Sequence, residues 1–245
     1  MRLDKFIVDC GLATRTEIAK AARGGAILVN GVPFRRAGGH IDPNIDKVTY
    51  CGREVVYRAV TYVMLNKPEG YVSATDDDKS PTVLSLLPEE LQKIGLFPCG
   101  RLDKNTVGLM LLTNNGPLAH KLLAPKNHVD KVYYFIADDN VTEDDVKRLE
   151  DGVDIGGYVT APCKVEMLNS KEGYITLTEG KYHQIKLMLK AVCNKVIFLE
   201  RKRFGPIALD ESLERGEWRF LTDGEQRALE DRVRTMKQTV EGIEL

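Results

Sequence analysis

The 245-residue sequence predicts an α+β protein in two parts. A small helix-helix-hairpin domain is expected over residues 1–58. A larger domain over 59–240 is expected to hold a mostly antiparallel mixed sheet flanked by helices. Two observations carry this. Two short helical patterns run straight into apolar stretches separated by Asn30-Gly31, the strongest short hairpin signal. From residue 61 onward, strand-length apolar runs recur, with only a few helical patterns between them. An apolar content of 43% and a charged content of 29% suit a globular chain with a sizeable core.

In chain order, Leu3, Phe6, Ile7 and Cys10 fall at helical spacing, and Gly11 stops that helix. Thr14 and Glu17 have the spacing of a capping box, so a second helix begins there. It turns Ile18 and Ala21 inward and ends at Gly24-Gly25. Residues 26–29 read as a strand, Asn30-Gly31 as a turn, and 32–34 as the return. Residues 47–50 form another short strand. Arg15, Lys20, Arg23, Arg35 and Arg36 lie on the second helix or beside the hairpin. Such a face suits a phosphate backbone and, equally, plain solvation.

Residues 57–60 read as a linker or a first strand. A strand over 61–68 then ends in a turn at Pro68-Glu69-Gly70, and one or two short helices fall within 82–95. Arg101 and Asp103 precede the apolar run Val107–Leu112. Read alone they make a surface ion pair beside a core strand. Asn115-Gly116 reads as a turn, with Pro117 in the first turn of a helix that ends near Pro125. The strand over 131–137 alternates, with Lys131, Tyr133 and Phe135 on one face. Thr142 caps an acidic helix, and strands follow at 162–168 and 173–178. Ile185, Met188, Leu189 and Val192 mark a helix whose other face carries His183, Lys186 and Lys190. A strand over 196–199 leads to the basic patch Glu200-Arg201-Lys202-Arg203 and a turn at 204–206. The last helix is placed at 223–235.

The net charge of −1 hides segregation. Residues 1–60 carry ten basic against six acidic side chains, residues 181–203 carry seven against one, and residues from 210 carry six against ten. Segregated basic surface binds phosphates locally without making the whole molecule sticky. No run approaches the ~20 apolar residues of a membrane span, and the N-terminus lacks the apolar core of a signal peptide. Five scattered cysteines show no zinc spacing and suit buried, reduced thiols in the cytoplasm.

Arg2-Leu3-Asp4-Lys5-Phe6, Thr14-Arg15-Thr16 and Val29-Asn30-Gly31 together resemble the small RNA-binding domain of ribosomal protein S-four. Three further segments resemble the motifs of the pseudouridine synthases, in the RsuA branch that acts on small-subunit ribosomal RNA. They are Gly100-Arg101-Leu102-Asp103 through Leu109, Lys131 to Tyr133, and Glu179 through Lys186. Leu65 to Val72 and Gly216-Glu217-Trp218-Arg219 add to the likeness, which covers nearly the whole chain. The resemblance implies that Asp103 is the catalytic aspartate, that Tyr133 stacks on the target uracil, and that Lys186 is the basic partner of Asp103. It implies that Arg101 holds the extruded nucleotide. Lys131, His183, Lys190, Arg201, Arg203, Arg15, Lys20 and Arg23 are the expected RNA contacts. Many relatives carry arginine at position 186 and a second basic residue after it; here these are Lys186 and Leu187.

Turning uridine into pseudouridine breaks N1–C1′ and joins C5 to C1′. Nothing is oxidised and no group is lost, so neither cofactor nor metal is expected. A carboxylate can attack C1′ or remove a sugar proton to give a glycal, and the sequence leaves both open. The target base must leave its stack, and an aromatic side chain is suited to hold it. The expected enzyme is cytoplasmic and monomeric, away from membranes, and acts on ribosomal RNA or a small-subunit assembly intermediate. The resemblance implies uridine 516 of the small-subunit RNA. Large-subunit RNA, or a non-catalytic role as an rRNA-binding assembly factor, are the alternatives.

Overall fold

The computed structural model describes residues 1–241, with side chains described through residue 235. Its contacts divide the chain into two units. One holds Met1–Thr61 and Leu87–Leu96; the other holds Tyr62–Leu86 and the chain from Phe97 onward. Residues 87–96, which the sequence reading assigned to the larger domain, therefore pack with the N-terminal unit.

In the first unit, helix α1 (Leu3–Asp9) leads into α2 (Arg15–Arg23). The Thr14 hydroxyl accepts from Glu17 N, and Glu17 reaches back to Thr14 N at 2.7 Å, which closes the expected capping box. Strands β1 (Ile27–Val29) and β2 (Val32–Pro33) pair across Asn30-Gly31, both at positive φ as a two-residue hairpin requires. Strand β3 (Val48–Tyr50) pairs with β1 on its other side. Strand β4 (Arg53–Val55) was not foreseen, and returns from β3 through Cys51-Gly52, also at positive φ. Leu3, Phe6, Ile7, Ile18, Ile27 and Val48 make the core. Helix α3 (Glu89–Gln92) also belongs to this unit.

Among the described residues the second unit holds a nine-stranded sheet. Its strands are β5 (Tyr62–Lys67), β6 (Phe97–Pro98), β7 (Val107–Thr113), β8 (Lys131–Ala137), β9 (Lys164–Met167), β10 (Glu172–Leu177), β11 (Val196–Phe204), β12 (Ile207–Ala208) and β13 (Trp218–Phe220). The order is β13-β5-β7-β11-β8-β10-β9, with β6 on β7 and β12 on β11. Every pairing is antiparallel except β7 with β11. The central strands β5 and β7 are buried along their whole length, which explains their unbroken apolar runs.

Helices α4 (Gly116–Leu123) and α7 (Asp223–Glu241) pack on each other. Leu118, Leu122, Leu229 and Val233 join Leu109, Leu111 and Phe204 in one core. Asn115 does not form a turn; its side chain caps α4 by accepting from Leu118 N. Helix α7 runs six residues past the expected end at 235. Helix α5 (Glu143–Asp151) has the expected N-cap at Thr142, completed to a capping box by Asp145, and packs on β9. Helix α6 (Gln184–Ala191) buries Ile185, Met188 and Leu189. Arg219 on β13 clamps Glu225 at 2.7 and 2.8 Å and Asp210 at 2.7 Å. Hydrogen bonds from Ser212 and from this guanidinium hold the Asp210 carboxyl down at about 2. The Gly216–Arg219 motif thus fastens the start of α7.

Two expectations change. The basic patch at 200–203 is the interior of β11, and Arg201 is 1% exposed, so it belongs to no surface patch. Of the five thiols expected to be buried, Cys99 is; Cys51 and Cys193 are exposed, both at positive φ.

Candidate active site

Asp103 sits in the loop between β6 and β7, and that loop is braced from several sides. Lys67, at the end of β5, is wholly buried. Its ammonium donates to the carbonyls of Pro68 (3.1 Å), Asp103 (3.1 Å), Lys104 (3.2 Å) and Thr106 (2.8 Å). Burial pushes this lysine down to about 8. The Ser73 hydroxyl donates to Leu102 O at 2.9 Å and accepts from Leu102 N at 3.0 Å. Gly70 N donates to Lys104 O, and Thr106 N to Asp103 O, each at 3.0 Å. Five residues past the aspartate, Gly108 lies at φ +94, where a Cβ would come 2.5 Å from Arg201 O. Only glycine lets β7 lie against β11 there.

The carboxylate held by this loop meets helix α6. Lys186 Nζ donates to Asp103 Oδ2 at 2.7 Å, and His183 Nε2 lies 3.5 Å from Asp103 Oδ1. The aspartate's partner is therefore Lys186, 83 residues away, rather than its neighbour Arg101. A buried polar link fixes the start of α6. Gln184 accepts from Lys181 N at 2.8 Å and donates to Glu179 at 2.7 Å. Glu179 in turn accepts from Ala161 N and from the Tyr158 hydroxyl.

Tyr133 on β8 lies directly opposite Arg201 on β11, so both side chains share one side of the sheet. Tyr133 is buried to 9% exposure, and its remaining surface faces the cleft. Arg201 Nε donates to Leu109 O at 2.8 Å, and its guanidinium lies 5.3 Å above the Phe204 ring. Lys131 lies 5.8 Å from the same ring and donates to Val129 O at 2.9 Å. Burial pushes Lys131 down to about 8. These groups form the floor of a cleft of about 1170 Å³.

Asp103, Tyr133, Lys186, Arg101, Lys131, His183 and Arg201 all line this cleft. Lys190 is exposed one turn further along α6 and is not among the lining residues. Arg203 lines a separate shallow hollow with Lys202. Arg15, Lys20 and Arg23 are exposed on α2 in the other unit. Sequence reasoning gave no role to Lys67, Ser73, Glu179 or Gln184. A lysine closing a strand that opens with the apolar run Tyr62–Leu65 was the one available signal for Lys67. Among the described residues no group of three His, Cys, Asp or Glu side chains is placed to hold a metal ion.

The family model for RNA pseudouridylate synthases matches residues 61–191, the span that carries the Asp103 loop, Tyr133 and Lys186. The chain belongs to the RNA pseudouridine synthase family. Residues 1–44 match the S4 domain. The synthase is 44% identical over 236 residues to an uncharacterized RNA pseudouridine synthase, YtzG, of Bacillus subtilis (strain 168), covering 94% of this chain and 99% of that one. It is 38% identical over 228 residues to the ribosomal small subunit pseudouridine synthase A of Escherichia coli (strain K12), covering 92% and 98%. A crystal structure of a pseudouridylate synthase superposes with a TM-score of 0.66 at 36% identity, covering 94% of this chain and 99% of that one. The α+β fold with an S4-type N-terminal unit is thus the fold of this synthase.

Proposed function

We propose that this synthase isomerises a uridine of small-subunit ribosomal RNA, with Asp103 as the catalytic carboxylate. The observation that carries the reading is the Asp103–Lys186 contact of 2.7 Å at a cleft lined by Tyr133. The ammonium holds the carboxylate in one orientation, as either attack on C1′ or removal of a sugar proton requires. Tyr133 supplies a flat apolar surface for the flipped uracil, worth about 1–3 kcal/mol if the ring stacks fully. A base held this way turns in place after N1–C1′ breaks, so that C5 meets C1′. Arg101, exposed at the cleft, contacts the extruded nucleotide, and Lys131 and Arg201 add positive potential beneath it. The exposed cations of α2 attract RNA phosphates.

The choice of small-subunit RNA follows the activity for which relatives 37–39% identical to this chain are named, and Tyr182-His183-Gln184 in the third motif favours the same branch. Uridine 516 is the site we propose, with naked RNA or an assembly intermediate as the substrate of a cytoplasmic monomer.

Tritium release from C5-labelled uridine in ribosomal RNA tests the reading. The wild type is expected to release tritium from small-subunit RNA, and Asp103→Asn to release none while binding RNA with similar affinity. Release by Asp103→Asn at a rate near wild type would remove the aspartate from the chemistry. Release from large-subunit RNA alone would move the substrate.

A further inference from the structure

Tyr182 is 74% exposed at the rim of the cleft, yet its ring is not loose. It stacks on the His183 imidazole with centroids 3.9 Å apart and planes 19° from parallel. The imidazole in turn lies 3.5 Å from Asp103. His183 holds a left-handed conformation, φ +50, as the residue preceding α6, and the Glu179–Gln184 link fastens that segment. One face of the Tyr182 ring is thus covered by another ring and the opposite face looks into solvent. Leaving a positioned aromatic face in water does nothing for the fold, but it is what a base-stacking surface needs.

We propose that the open face of Tyr182 is a stacking site for the nucleobase next to the target uridine. The proposal rests on the reading that the target ribose lies at Asp103. Tyr133, in the floor, is the ring available to the target base. Tyr182 stands one ring layer outside the imidazole that borders Asp103, where the next base along the strand arrives once the target has been extruded. The same rim carries charge for the connecting phosphate: Lys181 places its ammonium 4.1 Å from the Tyr158 ring, which also lines the cleft. Every base has a π face, so the site accepts any neighbour, and holds a purine more tightly for its larger ring area.

Tritium release from C5-labelled small-subunit RNA, or from its partly assembled particle if only that is turned over, separates KM from kcat. Tyr182→Leu still covers His183 but cannot stack. It is expected to raise KM roughly tenfold or more and to leave kcat within about twofold. Tyr182→Phe is expected to restore KM. In a synthetic hairpin carrying the mapped uridine, an abasic ribose at the neighbouring position should raise the wild-type KM by the same factor. It should add nothing in the Tyr182→Leu background. An unchanged KM for Tyr182→Leu overturns the proposal, as does an abasic effect of equal size in both backgrounds. A fall in kcat alone also overturns it, because Tyr182 would then act by positioning His183. Failure of the underlying reading shows separately, as Asp103→Asn that still releases tritium.

Discussion

The cleft and helix α2 carry positive charge in opposite ways. Behind the cleft, Lys67 is wholly buried and spent on four backbone carbonyls of the Asp103 loop and its approach; in the cleft, Arg201 is 1% exposed and bonded to Leu109 O, and Lys186 is committed to Asp103. On α2, Arg15, Lys20 and Arg23 stand exposed on a single capped helix. A buried cation has one geometry and a large cost when its partner is removed. An exposed one is solvated, screened and interchangeable with its neighbours. The cleft is therefore expected to fail at single residues, and the N-terminal unit to weaken by increments.

The sharpest break in that contrast is at Lys186. Lys186→Met removes the ammonium from Asp103 Oδ2 and is expected to lower kcat about 100-fold, a size usual for loss of one positioned charge, with a smaller change in KM. Lys186→Arg is expected to recover most of it, since a guanidinium also reaches the carboxylate. Single-turnover tritium release measures both. If Lys186→Met keeps its kcat, the cleft lysine is as dispensable as an α2 cation.

Lys67→Met comes next. It leaves buried carbonyls of the Asp103 loop without their donor and is expected to cost about 2–4 kcal/mol of stability, read as a lower urea midpoint. A chain that stays folded at low temperature should still show reduced kcat, because Asp103 O is one of the carbonyls released.

The effect of pH sharpens the same contrast. Burial sets Lys67 and Lys131 at about 8, down from 10.5. Each loses its charge in the folded chain as pH rises through 8, while the unfolded chain keeps the proton to about 10.4. The unfolded state then binds more protons, so these groups make the fold more stable with rising pH across that window. Activity is expected to move the other way, as the floor loses positive charge and the Asp103 loop loses ammonium donors. A falling kcat/KM above pH 8 without a falling melting temperature is the expected pair of profiles. Lys131→Met should flatten part of the fall.

The smallest effects belong to α2. Each single replacement of Arg15, Lys20 or Arg23 by alanine is expected to raise KM only a few-fold. The salt dependence of RNA affinity should drop by about one unit of slope for each phosphate that is no longer neutralised. A single α2 change that abolished binding would mean that the helix holds RNA by one fixed interaction, as the cleft does.

Local chemistry made much of the fold legible. The capping box at Thr14, the N-cap at Thr142 and the hairpin at Asn30-Gly31 stand where their residue types placed them, because each motif satisfies backbone groups within a few residues. The hairpin at Cys51-Gly52 has the same positive φ values but was missed, since cysteine is no turn residue. The reach of β11 through Arg201 was missed because four charged residues in a row look solvated. Only a neighbouring strand whose backbone accepts the guanidinium lets Arg201 be buried within that stretch.

The sequence by itself determined the Asp103, Tyr133 and Lys186 motifs, the apolar strands that carry them, and the two-part order of the chain. These are written in residue type and short-range spacing. Tertiary structure decided where the buried lysine of β5 spends its donors, that Asp103 meets Lys186, as the resemblance implied, rather than its neighbour Arg101, and that an exposed tyrosine is fixed beside the site. The first two depend on contacts 36 and 83 positions apart, and the place of the tyrosine on the approach of its neighbour His183 to Asp103. Lys186 and Asp103 are brought together by the parallel pairing of β7 with β11 and by the packing of α6, which no local pattern records.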